Sequence, residues 1–171
     1  MTVDLKYLFE PKGVIVTGVS SHPGKFGSVA LHNILSCGYE GKVFAFGREE
    51  ATVLEQKVIT SFDSIPSNEV DLMILCTPVG VNEELVRRAS EKGIKAIFCA
   101  AGGYSETGEE GVKAEKRLVA LAAELGLVLA GPNGQGIVSP PANLCAQIVA
   151  PYAPKGRIAC LLYTSPSPRD S

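Results

Sequence analysis

Short apolar runs alternate along the chain with longer segments whose apolar residues return every three to six positions, and glycines mark the joints. Gly13-Val-Ile-Val-Thr17 has no polar break and predicts a strand over Val14–Thr17. Ser28–Cys37 predicts a helix with Val29, Ile34 and Leu35 on its inner face and Gly38 placed to end it. Lys42–Phe46 predicts a second strand. Residues 47–70 read as irregular, with room for one short strand and a turn at Ile65-Pro66. Asp71–Pro78 ("DLMILCTP") is nearly continuous in its apolar character, as expected of a strand covered on both faces. Asn82–Lys92 predicts a helix with acidic residues early and basic ones late, which suits its dipole, and Gly93 closes it. Lys95–Cys99 is a fourth strand. "TGEE" (Thr107–Glu110) fits a capping box with Thr107 as the cap, opening a helix that reaches Leu125. Gly126 stops that helix and Leu127–Ala130 makes a fifth strand.

Strands separated by helices of this length pair in parallel through right-handed crossovers. The expected fold is α/β, a Rossmann-like doubly wound parallel sheet filling one domain over residues 1–153. Ligands of such sheets sit beyond the carboxyl ends of the strands. The segments that fall there are "GVSSHPGKFG", "FGRE", "TPVG", "AAGGYSETG" and "GPNGQG".

Composition narrows the classes. The 171 residues are 46% apolar and 20% charged, ordinary for a globular domain. A formal charge of -2 with no basic stripe argues against a nucleic-acid partner. No apolar stretch approaches the roughly 18 residues of a membrane span, and "MTVDLKYLFEPK" lacks the apolar core of a secretory signal. The cysteines at 37, 76, 99, 145 and 160 are odd in number and form no CxxC pair, against both a disulfide framework and a metal site. Cys76 and Cys99 are expected as buried thiols in a reducing cytoplasm.

"GVSSHPGKFG" has the character of a phosphate loop. A P-loop needs four residues between its first glycine and Gly-Lys, then Ser or Thr for the metal. Here five residues separate Gly18 from Gly24, and Phe26 follows Lys25. The dinucleotide fingerprint needs its first two glycines two apart. Here they are six apart, although Gly24 and Gly27 keep the final GxxG. The longer loop suits a phosphate wrapped by backbone N–H groups at a helix start, with Lys25 supplying a charge-assisted bond of roughly 1.5–3 kcal/mol.

Taken together, "GVSSHPGKFG", "YEGKVFAF", "DLMILCTP", "GIKAIFCAAGGYSETGEEG" and "GPNGQGI" follow one another in the order of a known family. Over about residues 7–160 the chain resembles the CoA-binding domain of NDP-forming acyl-CoA synthetases, which are similar to the succinyl-CoA synthetase α subunit. The resemblance implies coenzyme A as ligand. Ser20, Ser21, Pro23, Gly24 and Lys25 match the family's first CoA loop. Arg48 falls where the family places a group facing the CoA phosphates. Thr77 and Pro78 match the loop after the third predicted strand. Ala101, Gly102 and Gly103 match the loop after the fourth. Pro132 and Asn133 match the Gly-Pro-Asn turn that leads toward the reactive end. The chain departs from the family in two places: "AFGRE" replaces Pro-x-Asn-Pro after the second strand, and Gly134 replaces a cysteine.

The family's reaction joins a carboxylic acid to CoA as a nucleoside triphosphate is cleaved, through acyl phosphate and phosphohistidine intermediates. His22 reads as a solvated loop residue that brushes the ligand and His32 as a packed mid-helix residue, so neither takes the relay role. Glu106 is expected to support its turn or stay in solvent. The resemblance therefore implies no catalytic residue here, and missing C-terminal domains or an ATP-grasp-type β subunit as partners. Two alternatives stand beside it: an NAD(P)-binding oxidoreductase domain, with Glu49 or Arg48 at the ribose, and a stand-alone CoA-binding regulatory module. Pro154–Cys160 reads as the opening strand of a truncated second α/β domain. Residues 161–171 lose all period after Tyr163 and carry two Ser-Pro steps. They resemble translated adapter sequence and are expected to be a non-native ending, the alternative being a genuine flexible tail.

Overall fold

A computed structural model of the protein describes residues 4–22, 24–149, 154, 156 and 157. The expected strand over Pro154–Cys160 lies outside the described residues apart from Pro154, Gly156 and Arg157, and the tail 161–171 lies wholly outside them.

Among the described residues seven strands form the main sheet: β1 (Gly13–Val16), β2 (Lys42–Phe46), β3 (Ala51–Val53), β4 (Gln56–Ile59), β5 (Leu72–Leu75), β6 (Ala96–Cys99) and β7 (Val128–Ala130). Their spatial order is β3-β4-β2-β1-β5-β6-β7. All neighbours pair in parallel except β3 with β4. The expectation of a doubly wound α/β sheet holds, with one antiparallel edge strand added.

The period-two alternation of a strand sorts each apolar run into two cores. Val14 and Val16 face one side of the sheet with Leu72, Ile74, Ala96 and Phe98. Ile15, Met73, Leu75, Ile97 and Cys99 face the other. Val14, Ile15 and Val16 are all 0% exposed, so no position in that run tolerates a polar side chain. Helices α1 (Lys6–Phe9) and α2 (Phe26–Ser36) cover the first side through Leu8, Ala30, Leu31 and Ile34. Helices α3 (Val79–Glu91) and α4 (Glu109–Glu124) cover the second through Leu85, Val86, Ala89, Ala114, Leu118 and Leu121. Each leucine, isoleucine or valine among them contributes about 1.5–3 kcal/mol of burial.

Three local expectations need correction. Residues 47–70 hold a two-strand hairpin, not one strand, turning at Leu54 (φ 51) and Glu55 (φ 63). Two positive φ values make a primed hairpin turn, normally signalled by Asn-Gly, where this turn has Leu54-Glu55. A second hairpin, β8 (Gly136–Ser139) with β9 (Leu144–Gln147), follows the main sheet. It packs Ile137, Leu144 and Ala146 into the first core, and Asn33 of α2 donates through Nδ2 to the Gln147 carbonyl at 2.7 Å. Thirdly, "TGEE" is not a capping box. Gly108 is the cap residue of α4, and Thr107 donates its hydroxyl to the Tyr104 carbonyl at 2.8 Å. A 3-10 turn over Ser105–Thr107 consumes the threonine before the helix begins. Helices α2 and α3 also start two and three residues earlier than the pattern indicated, at Phe26 and Val79.

Candidate ligand-binding site

Because β1, β2, β5, β6 and β7 are parallel, the loops that leave their carboxyl ends share one edge of the sheet. The chain runs outward from β1 to β2 in one direction and from β5 to β6 in the other. The crevice between β1 and β5 is therefore the switch point where such sheets receive ligands.

Thr17 closes the floor of that crevice. It is 0% exposed, and its Oγ1 accepts from the Cys76 N–H at 3.0 Å and donates to the Ile74 carbonyl at 3.2 Å. The loop then turns over the start of α2. Ser20 donates its N–H to Ser28 Oγ at 3.2 Å, and Ser28 Oγ donates back to the Ser20 carbonyl at 2.8 Å. A Cβ on Gly27 would stand 2.6 Å from the Thr17 carbonyl oxygen, so only glycine lets the helix start approach the strand end this closely. Lys25 is the cap residue of α2 in extended conformation, and among the described residues its side chain makes no cap hydrogen bond. The first-turn N–H groups of α2 thus have no acceptor from the cap side chain. Among the described residues Ser20 Oγ is buried without a hydrogen-bond partner. An orphaned hydroxyl beside an uncapped helix start, with an exposed lysine at hand, fits an anionic phosphate. Ser21, His22 and Gly24 are exposed around a groove of about 250 Å³, and Lys25 is exposed beside them in sequence. Pro23 lies outside the described residues.

The other loops carry the remaining sequence candidates. Arg48, after β2, is exposed and makes no hydrogen bond or ion pair among the described residues. After β5, Thr77 donates its hydroxyl to Asn82 Oδ1 at 2.7 Å and lies 3.4 Å from the Thr17 hydroxyl, while Pro78 caps α3. After β6, Ala101 donates its N–H to the Leu75 carbonyl at 3.1 Å and accepts from the Asn133 N–H at 3.0 Å. The Glu106 carboxylate accepts from the N–H groups of Gly103 and Tyr104. Those bonds, Gly103 first, hold its pKa below the usual carboxylate value. Glu106 therefore supports its turn. After β7, a cis Gly131-Pro132 bond precedes Asn133, whose Oδ1 would stand 3.3 Å from a Cβ on Gly102. The structure thus joins the loops after β1 and β5 through Thr17 and Thr77, and those after β6 and β7 through Ala101 and Asn133. The loops after β1 and β2 also meet, where the Val19 N–H donates to the Phe46 carbonyl at 3.0 Å, two residues before Arg48.

Gly134, where the family pattern has cysteine, sits against the Phe98 ring; a Cβ there would stand 2.6 Å from Cζ. The ring occupies the space a side chain would need.

Three residues of the site were not anticipated: Ser28, Asn82 and Tyr104. Asn82 is 0% exposed and Tyr104 1% exposed, and Asn82 Nδ2 donates to Tyr104 Oη at 2.8 Å. Burial pushes the Tyr104 phenol up to about 12. The readable signal was an asparagine three residues before Leu85, on the face of α3 that Leu85, Val86 and Ala89 mark as buried. His22 is exposed, as expected of a loop residue. His32 is exposed too, not packed, with Nε2 3.5 Å from Ser36 Oγ on the outer side of α2. Among the described residues no cluster of three or more His, Cys, Asp or Glu could hold a metal, and no helix is long and apolar enough to cross a membrane.

Comparison with known proteins gives the family and the fold. A family described as "CoA binding domain" matches residues 12–140. The α subunit of ADP-forming acetate–CoA ligase I from Pyrococcus furiosus is 36% identical over 148 residues, covering 84% of this chain and 32% of that protein. The corresponding subunit of ligase II is 37% identical over 156 residues, covering 91% and 33%. Among solved structures, a protein from Pyrococcus horikoshii OT3 superposes with a TM-score of 0.82 at 36% identity, covering 90% of this chain and 34% of its own. Acetyl-coenzyme A synthetase 1 from Ca. Korarchaeum cryptofilum, solved with phosphate and ADP, superposes with a TM-score of 0.80 at 29% identity, covering 86% and 31%. The chain spans about a third of the length of these relatives.

Proposed function

The chain belongs to the CoA-binding domain family, and from that premise we propose that it is the CoA-holding domain of an ADP-forming acid–CoA ligase. The observation that carries this reading is the first loop: an orphaned Ser20 hydroxyl, an uncapped α2 and Lys25 gather at the switch-point crevice. These are the parts an anionic phosphate of CoA needs.

In this reading Ser20, Ser21, Gly24 and the start of α2 hold a phosphate by N–H and hydroxyl donors, and Lys25 adds charge. Arg48 reaches the phosphates from the second loop. Thr77 and Pro78 form one wall of the crevice, and Ala101, Gly102 and Gly103 form the next. Pro132 and Asn133 lie farthest along the edge, where the thiol end would leave. CoA supplies the attacking thiol when bound. This chain's residues bind it, orient it and keep its nucleotide end out of the reaction. The ligase relatives are about three times as long as this match, so phosphoryl transfer and acid recognition are assigned to further domains or an ATP-grasp-type partner subunit.

The wide spacing between Gly18 and Gly24 argues against the nicotinamide alternative, because the pyrophosphate turn of that fingerprint is absent. The test is calorimetric titration of the purified chain with CoA and with NAD, followed by incubation with labelled ATP, CoA and short carboxylic acids. The expected result is CoA binding, weaker or no NAD binding, and no acyl-CoA. Tighter NAD binding would overturn the ligand assignment. Catalytic acyl-CoA formation, or phosphate on His22 or His32, would overturn the assignment of chemistry to other parts.

A further inference from the structure

We infer that Asn82 is a positioning residue that sets the spacing between the loops after β5 and β6, and with it the width of the crevice; this rests on the CoA reading above. Asn82 lies in the first turn of α3 and is 0% exposed. Its two amide ends go to two different loops. Oδ1 accepts from the Thr77 hydroxyl at 2.7 Å, and Nδ2 donates to Tyr104 Oη at 2.8 Å. An apolar residue of this size would suit a helix face that also presents Leu85, Val86 and Ala89. What the amide adds is a fixed distance between two hydroxyls that belong to separate crossovers.

Each hydroxyl is rigidly tied to a candidate wall of the crevice. Thr77 is itself in the loop after β5, and its oxygen lies 3.4 Å from Thr17 Oγ1 at the crevice floor. Tyr104 follows Gly102 and Gly103 directly. Its N–H donates to the Glu106 carboxylate at 3.1 Å, and its carbonyl accepts from the Thr107 N–H at 2.9 Å and the Thr107 hydroxyl at 2.8 Å. Its ring is 1% exposed, so the phenol meets no ligand and acts only through its partners. Thr77, Asn82 and Tyr104 therefore form one hydrogen-bonded chain that reaches the Thr17 hydroxyl at its Thr77 end, with Asn82 as the link that spans from α3 to both walls.

The test uses the full chain with Tyr104→Phe, Thr77→Val, Thr77→Ser and Asn82→Ser, all studied well below their melting temperatures. Amide hydrogen exchange is read in peptides covering 76–82 and 100–106, and CoA titrations are run beside it. The expected result is reciprocal. Tyr104→Phe speeds exchange in 76–82 and Thr77→Val speeds it in 100–106, each by about fivefold or more. Thr77→Ser, which keeps the hydroxyl, leaves both segments protected. Tyr104→Phe also weakens CoA by about tenfold without touching it. A change confined to the mutated loop, or a fall in melting temperature with both exchange and CoA affinity intact, overturns the inference. Should Asn82→Ser fail to fold, the two partner variants decide alone. If the unmodified chain binds no CoA, the functional reading fails, while the exchange pattern still decides the role of Asn82.

Discussion

Gly18 packs against Cys76 so closely that a Cβ on Gly18 would stand 2.6 Å from the Cys76 carbonyl oxygen. Its φ of +73° is also one that side chains disfavour. This contact lets the loop after β1 and the end of β5 meet at the crevice floor. Gly18→Ala is expected to cost about 1–3 kcal/mol from backbone strain, with further loss from the clash. Denaturant unfolding measures it, and a variant as stable as the parent would show that the two strand ends part freely.

Glu106 gives the loop after β6 a pH dependence. Its folded pKa is depressed, first by the Gly103 N–H. A depressed carboxylate contributes stability above its unfolded pKa and loses it as pH falls through the folded value. Glu106→Gln should therefore melt below the parent at neutral pH, and the gap should close under acid conditions. Melting curves from pH 7 down to about pH 3 test this. A gap that stays constant would assign the bond no charge component.

The central strands were legible because burial on both faces leaves no polar position in β1, β5 or β6. The site loops were legible because close backbone approach selects glycine, as at Gly18 and Gly27. Two kinds of feature were not. The turn at Leu54-Glu55 adopts positive φ with residues that do not advertise it, so the β3–β4 hairpin is fixed by pairing such as Ala51 with Val58 and not by its turn. The pair Asn82–Tyr104 is a contact across 22 positions, and a single buried asparagine looks like an ordinary helix-start residue until its partners are known. "TGEE" misled for the opposite reason. Its local signal was right in type, but the Tyr104 carbonyl captured the Thr107 hydroxyl first.

That hairpin turn offers a gain in stability. Leu54 is 45% exposed, so its side chain loses little by replacement. Leu54→Asn with Glu55→Gly supplies residues suited to positive φ at both positions. The pair should stabilise the domain by about 1 kcal/mol or more, since each left-handed non-glycine residue carries roughly that strain. An unchanged or lowered unfolding midpoint would mean that the turn is not strained as its dihedrals indicate.

Two thiols should resist alkylation. Burial pushes Cys76 up to about 12 and Cys99 up to about 11, from an ordinary 9.0. At pH 8 both stay protonated, and the thiolate is the reacting form. Mass-resolved iodoacetamide labelling should find them at least roughly a hundredfold slower than in the unfolded chain. The linkage has the opposite sign to that of Glu106. The raised values contribute stability in full below the ordinary thiol pKa, and it is lost as pH rises from there toward 11 and 12. Fast labelling of Cys76 or Cys99 in the native chain would show that the ends of β5 and β6 open.

Lys25 provides the sharpest test of the phosphate cradle. It stands at the cap position of α2, exposed, and among the described residues its side chain makes no cap hydrogen bond. The ammonium and the helix N–H groups then act on the same anion, one through charge and the other through fixed dipoles. Lys25→Ala should remove the charge and leave the cradle. The loss should lie near the lower end of the charged hydrogen-bond range, about 1.5 kcal/mol or tenfold in Kd, because solvent reaches the pair. Lys25→Arg should recover most of the affinity, and the difference between parent and Lys25→Ala should shrink as salt screens the charge. Stability should move little, since the side chain is exposed. CoA titrations at low and high salt read all three effects. An unchanged Kd at low salt would place the phosphates away from this loop and leave Ser20 and the α2 start without their assigned ligand.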